Sequence, residues 1–356
     1  MYIEISRELS ENIQNSEVVD ILRLAADTMR EGRHWVWTED CKSALRITNE
    51  IKDSDKRTAS FFLSIYDKFS EFAKIKSEVS LYLSVVMGDK VVKEENCIKV
   101  GHKIALNSHF WQQALFVVEN SDDAEIYRAI TKTLKEKVNL SFEVESGGGD
   151  TTHKVIENKL KQNHIVFTIV DSDKKSPDSD VGSTAKHILE NQFIQTHLLH
   201  ELLVLNICEL ENIFFSKDIW SDFRKDPQSC NISSIVEQAE RREPNIRCFL
   251  DVKSGISYKQ LNSNDYIKNT IAVEIPNCVI RSQHDDKCQK CKKCECMVVS
   301  GVGRYTRKLV EDNNFVNEMQ NYYNKLPSLI AQDWSNIAQI MSTWAFGAKI
   351  QATECR

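Results

Sequence analysis

The sequence predicts an α/β protein: a mostly parallel sheet with helices on both faces, flanked by a helical N-terminal domain and a helical C-terminal region with a cysteine-rich insertion. Three observations predict it. Apolar residues recur at helical spacing over roughly the first 88 residues, short apolar runs alternate with helical stretches from about 114 to 215, and helical spacing returns after 307. The expected domains are 1–100 (helical), 101–275 (α/β), 276–300 (cysteine-rich) and 301–356 (helical).

In the N-terminal domain the helical stripes are Val18-Val19-Ile21-Leu22-Leu24-Ala25-Met29, then Ala44-Leu45-Ile47-Ile51, then Phe61-Phe62-Ile65-Tyr66-Phe69-Phe72. Breaks are expected at Glu31-Gly32-Arg33, at Lys52 to Asp55 and near Gly88-Asp89, with Thr38 and Thr58 as N-caps.

The pattern changes near Ala114. Leu115-Phe116-Val117-Val118 has the length and composition of a strand, and Asp123 to Glu136 reads as a helix. A second strand over Leu140 to Val144 runs into Ser146-Gly147-Gly148-Gly149, and a helix follows to about Asn163. Ile165 to Val170 is short, apolar and β-branched, the clearest strand in the chain, and leads into Asp171-Ser172-Asp173. After a third helix comes Leu202-Leu203-Val204-Leu205, followed by Glu209-Leu210-Glu211-Asn212. Ligands of such sheets gather at the carboxyl ends of the strands.

The acidic residues fall at those ends. Glu119 follows the first strand, Asp171 and Asp173 the third, and Glu209 and Glu211 the fourth, while Asp123 lies one helical turn after Glu119. Carboxylates gathered in one crevice repel each other unless a cation is present, and their hard oxygens suit Mg²⁺ or Mn²⁺. Singly, an Asp-x-Asp is most often an exposed loop and a triple glycine a tight turn. Their order along the chain, each at a strand end, is far more specific.

The series Val118-Glu119-Asn120-Ser121-Asp122-Asp123, Gly147-Gly148-Gly149, Val170-Asp171-Ser172-Asp173 and Glu209-Leu210-Glu211-Asn212-Ile213-Phe214 resembles the Toprim domain in its OLD-nuclease-like form. The nearest resemblance is to stand-alone Toprim proteins that accompany an ABC-type ATPase in bacterial phage defence. It covers about 100 residues and departs from the family at Asn120, where glycine is commoner. It implies a two-metal Mg²⁺ or Mn²⁺ endonuclease acting on DNA or RNA, transfer RNA included, and restrained until the ATPase or a phage trigger releases it. It further implies catalytic and metal-binding roles for Glu119, Asp171 and Asp173, metal-binding roles for Asp123, Glu209 and Glu211, and a turn at Gly147–Gly149 whose N–H groups approach the substrate phosphates. For the basic residue that such sites use, Lys349, Lys154 and Lys174 are candidates. A non-catalytic Toprim scaffold and a nucleotidyl-transfer enzyme are the alternatives.

Cys288-x-x-Cys291-x-x-Cys294-x-Cys296, preceded by His284 and Cys278, is a candidate structural Zn²⁺ site. The alternative is a solvated Lys/Cys-rich loop. No Walker sequence is present, so any ATP hydrolysis falls to a partner.

The C-terminal region carries Trp334, Ile337, Ile340, Met341 and Trp344 at helical spacing, which reads as core. With 41% hydrophobic and 28% charged residues the chain can bury a substantial core. A net charge of −6 disfavours coating nucleic acid by bulk electrostatics but leaves a metal-loaded nuclease open. With neither a leader pattern nor a membrane-length apolar run, and most of its 11 cysteines scattered, the chain is expected to be cytoplasmic, off the membrane and reduced.

Overall fold

The computed structural model describes residues 1–72, 74–214, 227–271, 274, 297–301 and 306–348, and these are mixed α/β with parallel sheets flanked by helices. Cys278, His284, Cys288, Cys291, Cys294, Cys296 and Lys349 lie outside the described residues.

The N-terminal region is not the all-helical domain expected. Strands β1 (Tyr2–Ile5), β2 (Trp35–Thr38), β3 (Tyr82–Val86), β4 (Val91–Glu94) and β5 (Cys97–Gly101) form a five-stranded sheet in the order β2-β1-β3-β5-β4. All its pairs are parallel except β4 with β5. The helices expected from apolar spacing are present at Ser16–Arg30, Cys41–Ile51 and Lys56–Asp67. The caps differ from expectation. Asp40 accepts the Ser43 N–H at 2.7 Å and Asp55 the Thr58 N–H at 3.0 Å, while Thr38 ends β2 and Thr58 sits in a first helical turn.

Strands β6 (Ala114–Val118), β7 (Phe142–Ser146), β8 (Val166–Val170) and β9 (His200–Val204) form an all-parallel sheet in the order β7-β6-β8-β9. Two of the expected strands differ in bounds: β7 shifts by two residues toward the glycines, and β9 starts two residues and ends one residue earlier, away from Glu209. In register, Val118 lies opposite Ser146 and Ile169, and Val170 opposite Val204, so the four carboxyl ends are nearly flush. Alternate residues of a strand face opposite sides, and both sides here are apolar. Leu115, Val117, Val166 and Val170 pack with Ile156, Leu160, Ala185 and Ile188 of the helices Thr152–Lys161 and Ser183–Glu190. On the other face Phe116 stacks on Phe167 at 4.5 Å and meets Tyr127 of the helix Asp123–Leu134.

That second face shares one continuous core with the N-terminal sheet and with the helix Ser328–Trp344, whose Trp334, Ile337, Ile340, Met341 and Trp344 are buried as expected. A smaller core gathers Val236, Ile246, Leu250, Val252 and Ile256 beside β10 (Gly255–Ser257), which pairs antiparallel with β11 (Met297–Ser300). Among the described residues no helix is long and apolar enough to cross a membrane.

Candidate metal-binding site

The flush strand ends deliver the acidic residues to one edge of the four-stranded sheet. Glu119 is the first residue past β6, Asp171 the first past β8, and Glu209 lies five past β9 with Glu211 in the following single-turn 3-10 helix, Leu210–Phe214. Asp123 opens the Asp123–Leu134 helix, whose start is fixed by the Asp123 N–H donating to the Asn120 carbonyl at 3.0 Å. Asn120 has no left-handed φ, so this turn needs no glycine there.

Two loops are laced together at the centre. Ser172 donates its hydroxyl to the Ile207 carbonyl at 2.6 Å, and the Asp173 N–H donates to the Cys208 carbonyl at 2.8 Å. Asp173 adopts φ 54°, a left-handed conformation that Asp tolerates better than most residues. Gly182 passes so close that a Cβ on it would overlap the Asp173 carboxylate. On the flank, Gly147 donates its N–H to the Val118 carbonyl at 2.7 Å, with no room for a Cβ beside Thr152, and Gly148 and Gly149 take φ 70° and 63°.

Like charges and burial drive these carboxyls toward neutrality. Burial, then Asp173 and Asp123, push Glu119 up to about 7. Burial, then Glu211, push Asp123 up to about 6. Burial first, and then Asp251 and Glu211, push Glu209 up to about 8. Asp171 is raised well above the usual carboxylate range by burial and by Glu119, Asp123, Glu211 and Glu209. One buried oxygen on each of Glu119 and Glu209 has no hydrogen-bond partner, a cost that a bound cation would remove.

The cations beside this cluster differ from those expected. Lys154 is exposed on its helix, and Lys174 is held through its backbone N–H, which donates to the Ser172 hydroxyl at 3.3 Å. Lys253 instead forms an ion pair with the buried Glu211 at 3.2 Å, and Lys175 lies 3.1 Å from the Cys208 sulfur and 4.0 Å from Asp251. Both Lys253 and Asp251 come from the loop before β10, which is tied to the site by Asn212 donating to the carbonyls of Arg247 at 2.6 Å and Leu250 at 2.9 Å. Sequence reading missed them because they lie some 40 residues past Glu211 in an irregular stretch. The one hint is a polar Asp-x-Lys closing the apolar run Cys248-Phe249-Leu250.

The donor set fits a hard divalent cation in chemistry: all oxygens, mutually repelling, two of them unpartnered. Among the described residues, however, no three His, Cys, Asp or Glu side chains are already gathered as a ready metal cage. Among the described residues the ammonium of Lys253 is the cation paired with Glu211. The chain matches no family model, no curated protein and no solved structure.

Proposed function

We propose that this chain is a Mg²⁺- or Mn²⁺-dependent nuclease with a Toprim-like centre, hydrolysing phosphodiester bonds of DNA or RNA, transfer RNA included. The observation that carries the reading is the convergence of Glu119, Asp123, Asp171, Asp173, Glu209 and Glu211 at the carboxyl edge of one parallel sheet, with four of these carboxyls pushed toward neutrality. Structural stability alone favours replacing such a cluster by neutral groups, since buried like charges cost energy. Perturbed acids gathered at strand ends are a mark of functional sites.

Bound divalent cations supply Lewis-acid activation of the phosphate and an acidified water. The protein's own groups do the rest. Asp171 and Asp173 would hold cation from the end of β8, with Asp123, Glu209 and Glu211 completing the donor set. Glu119, whose carboxyl is raised by burial and by Asp173 and Asp123 while no cation is bound, would exchange a proton with water or leaving oxygen. Lys253, paired with Glu211 in this structure, would meet negative charge on the phosphate. In the Gly147–Gly149 turn the Gly147 N–H is bound to the Val118 carbonyl, and the N–H groups of Gly148 and Gly149 would approach the flanking phosphates.

The family resemblance alone supports the wider setting: a cytoplasmic antiphage effector, restrained until an ABC-type ATPase partner or a phage trigger releases it, with structural Zn²⁺ at Cys288, Cys291, Cys294 and Cys296. The test is incubation of the purified protein with plasmid DNA and with bulk transfer RNA, in Mg²⁺ or Mn²⁺ and again in chelator. Metal-dependent cutting of either substrate is expected and names it. No cutting of either, with an ABC-type ATPase partner present, would return the chain to the scaffold reading.

A further inference from the structure

Asp333 lies in the middle of the helix Ser328–Trp344, with no exposed surface at all. Its carboxylate accepts the Asn206 N–H at 3.1 and 3.0 Å from its two oxygens, the Asn206 side-chain amide at 2.7 Å and the Ile207 N–H at 3.2 Å. Among the described residues no cation pairs with it. A buried carboxylate among neutral donors is costly, yet both of its oxygens are engaged as acceptors here, a pattern that a carboxamide does not match.

The bonded segment has a second edge. While the N–H groups of Asn206 and Ile207 face Asp333 and that of Cys208 donates to the Cys248 carbonyl at 2.6 Å, the carbonyls of Ile207 and Cys208 accept from Ser172 and from Asp173, with the Ser172 hydroxyl at 2.6 Å and the Asp173 N–H at 2.8 Å. Residues 206–208 are therefore a spacer between two acidic pairs, Asp171 with Asp173 and Glu209 with Glu211. One edge of the spacer is bonded to the first pair's loop and the other to the helix.

We infer that Asp333 is a positioning residue, a strut that sets the separation of the two acidic pairs and so the affinity of the site for divalent metal. The inference rests on the metal-site reading above. Partners that orient metal ligands from behind typically govern affinity by about 10- to 100-fold. Asp333→Asn turns one of the two acceptor oxygens into a donor facing N–H groups and breaks the pattern with little change of volume.

The experiment is Mn²⁺ titration followed by electron paramagnetic resonance, on wild type, Asp333→Asn and Asn206→Ala, with unfolding temperatures measured in chelator. Asn206→Ala removes the 2.7 Å side-chain bond at a half-buried position and covers the case in which Asp333→Asn does not fold. The expected result is roughly 10-fold or greater weakening of Mn²⁺ binding in Asp333→Asn and a few-fold weakening in Asn206→Ala, per folded molecule. A merely structural role would lower the unfolding temperature and leave affinity alone. Wild-type affinity in every variant that folds would overturn the strut while leaving the metal site standing. No binding by wild type would overturn both.

Discussion

At the scale of single residues the chemistry of the site is that of repelling carboxylates with few cations. Among the described residues Lys253 is the cation paired with Glu211, so Lys253→Met leaves a buried carboxylate without its partner. The expected loss in chelator is about 1–3 kcal/mol, and saturating Mn²⁺ should recover part of it, because metal takes over the neutralising role. Thermal unfolding in chelator and in Mn²⁺ measures this; an equal loss in both would detach Lys253 from the metal site. The pH dependence follows from the raised acids. Glu119 at about 7, Asp123 at about 6 and Glu209 at about 8 bind protons more tightly when folded than when unfolded. Their contribution is full below the ordinary carboxylate range, near pH 4, and is lost as pH rises through about 6 to 8. In chelator the unfolding temperature should therefore fall across that window. Saturating Mn²⁺ should flatten or reverse the slope, because metal binds the deprotonated carboxylates.

At the scale of elements, the site is made by strand ends and by the glycines that let loops approach them. Gly182→Ala should disturb Asp173, because the new Cβ overlaps its carboxylate. Gly149→Ala meets open space and carries only the left-handed backbone penalty, about 1 kcal/mol. Mn²⁺ affinity should separate them: weakened in Gly182→Ala and preserved in Gly149→Ala, with comparable affinities refuting the contrast. The legibility of the elements divides along the same line. Strands β6 and β8 could be read because they are apolar, β-branched runs bounded by turn residues, and the carboxylates after them lie next in sequence. Strands β1 and β2 could not. They are four residues long, β1 is buried at every position and β2 at three, so no alternation marks them, and the helical stripes nearby dominate the pattern. Asp251, Lys253 and Asp333 were hard to read for another reason: folding alone brings them close, and beyond the Asp-x-Lys after Leu250 no local spacing records it.

At the scale of the whole molecule the five-stranded and four-stranded sheets share one apolar core, so they should unfold together. Calorimetry of Phe62→Ala, a fully buried ring in the N-terminal part of that core, should shift a single transition covering both sheets, at a cost of about 3–5 kcal/mol. Two separated transitions, with only one moved, would contradict the shared core. The proposed role of this fold is to hold divalent metal over a phosphodiester. The most direct measurement is the single-turnover cleavage rate of Asp171→Asn against wild type, on whichever nucleic acid wild type cuts, paired with unfolding temperatures in chelator. Asparagine keeps the shape and removes a charge that burial and four neighbouring carboxyls disfavour. The account predicts a rate lower by roughly 100-fold or more, with an unfolding temperature in chelator equal to or above that of wild type. A wild-type rate in Asp171→Asn would contradict it.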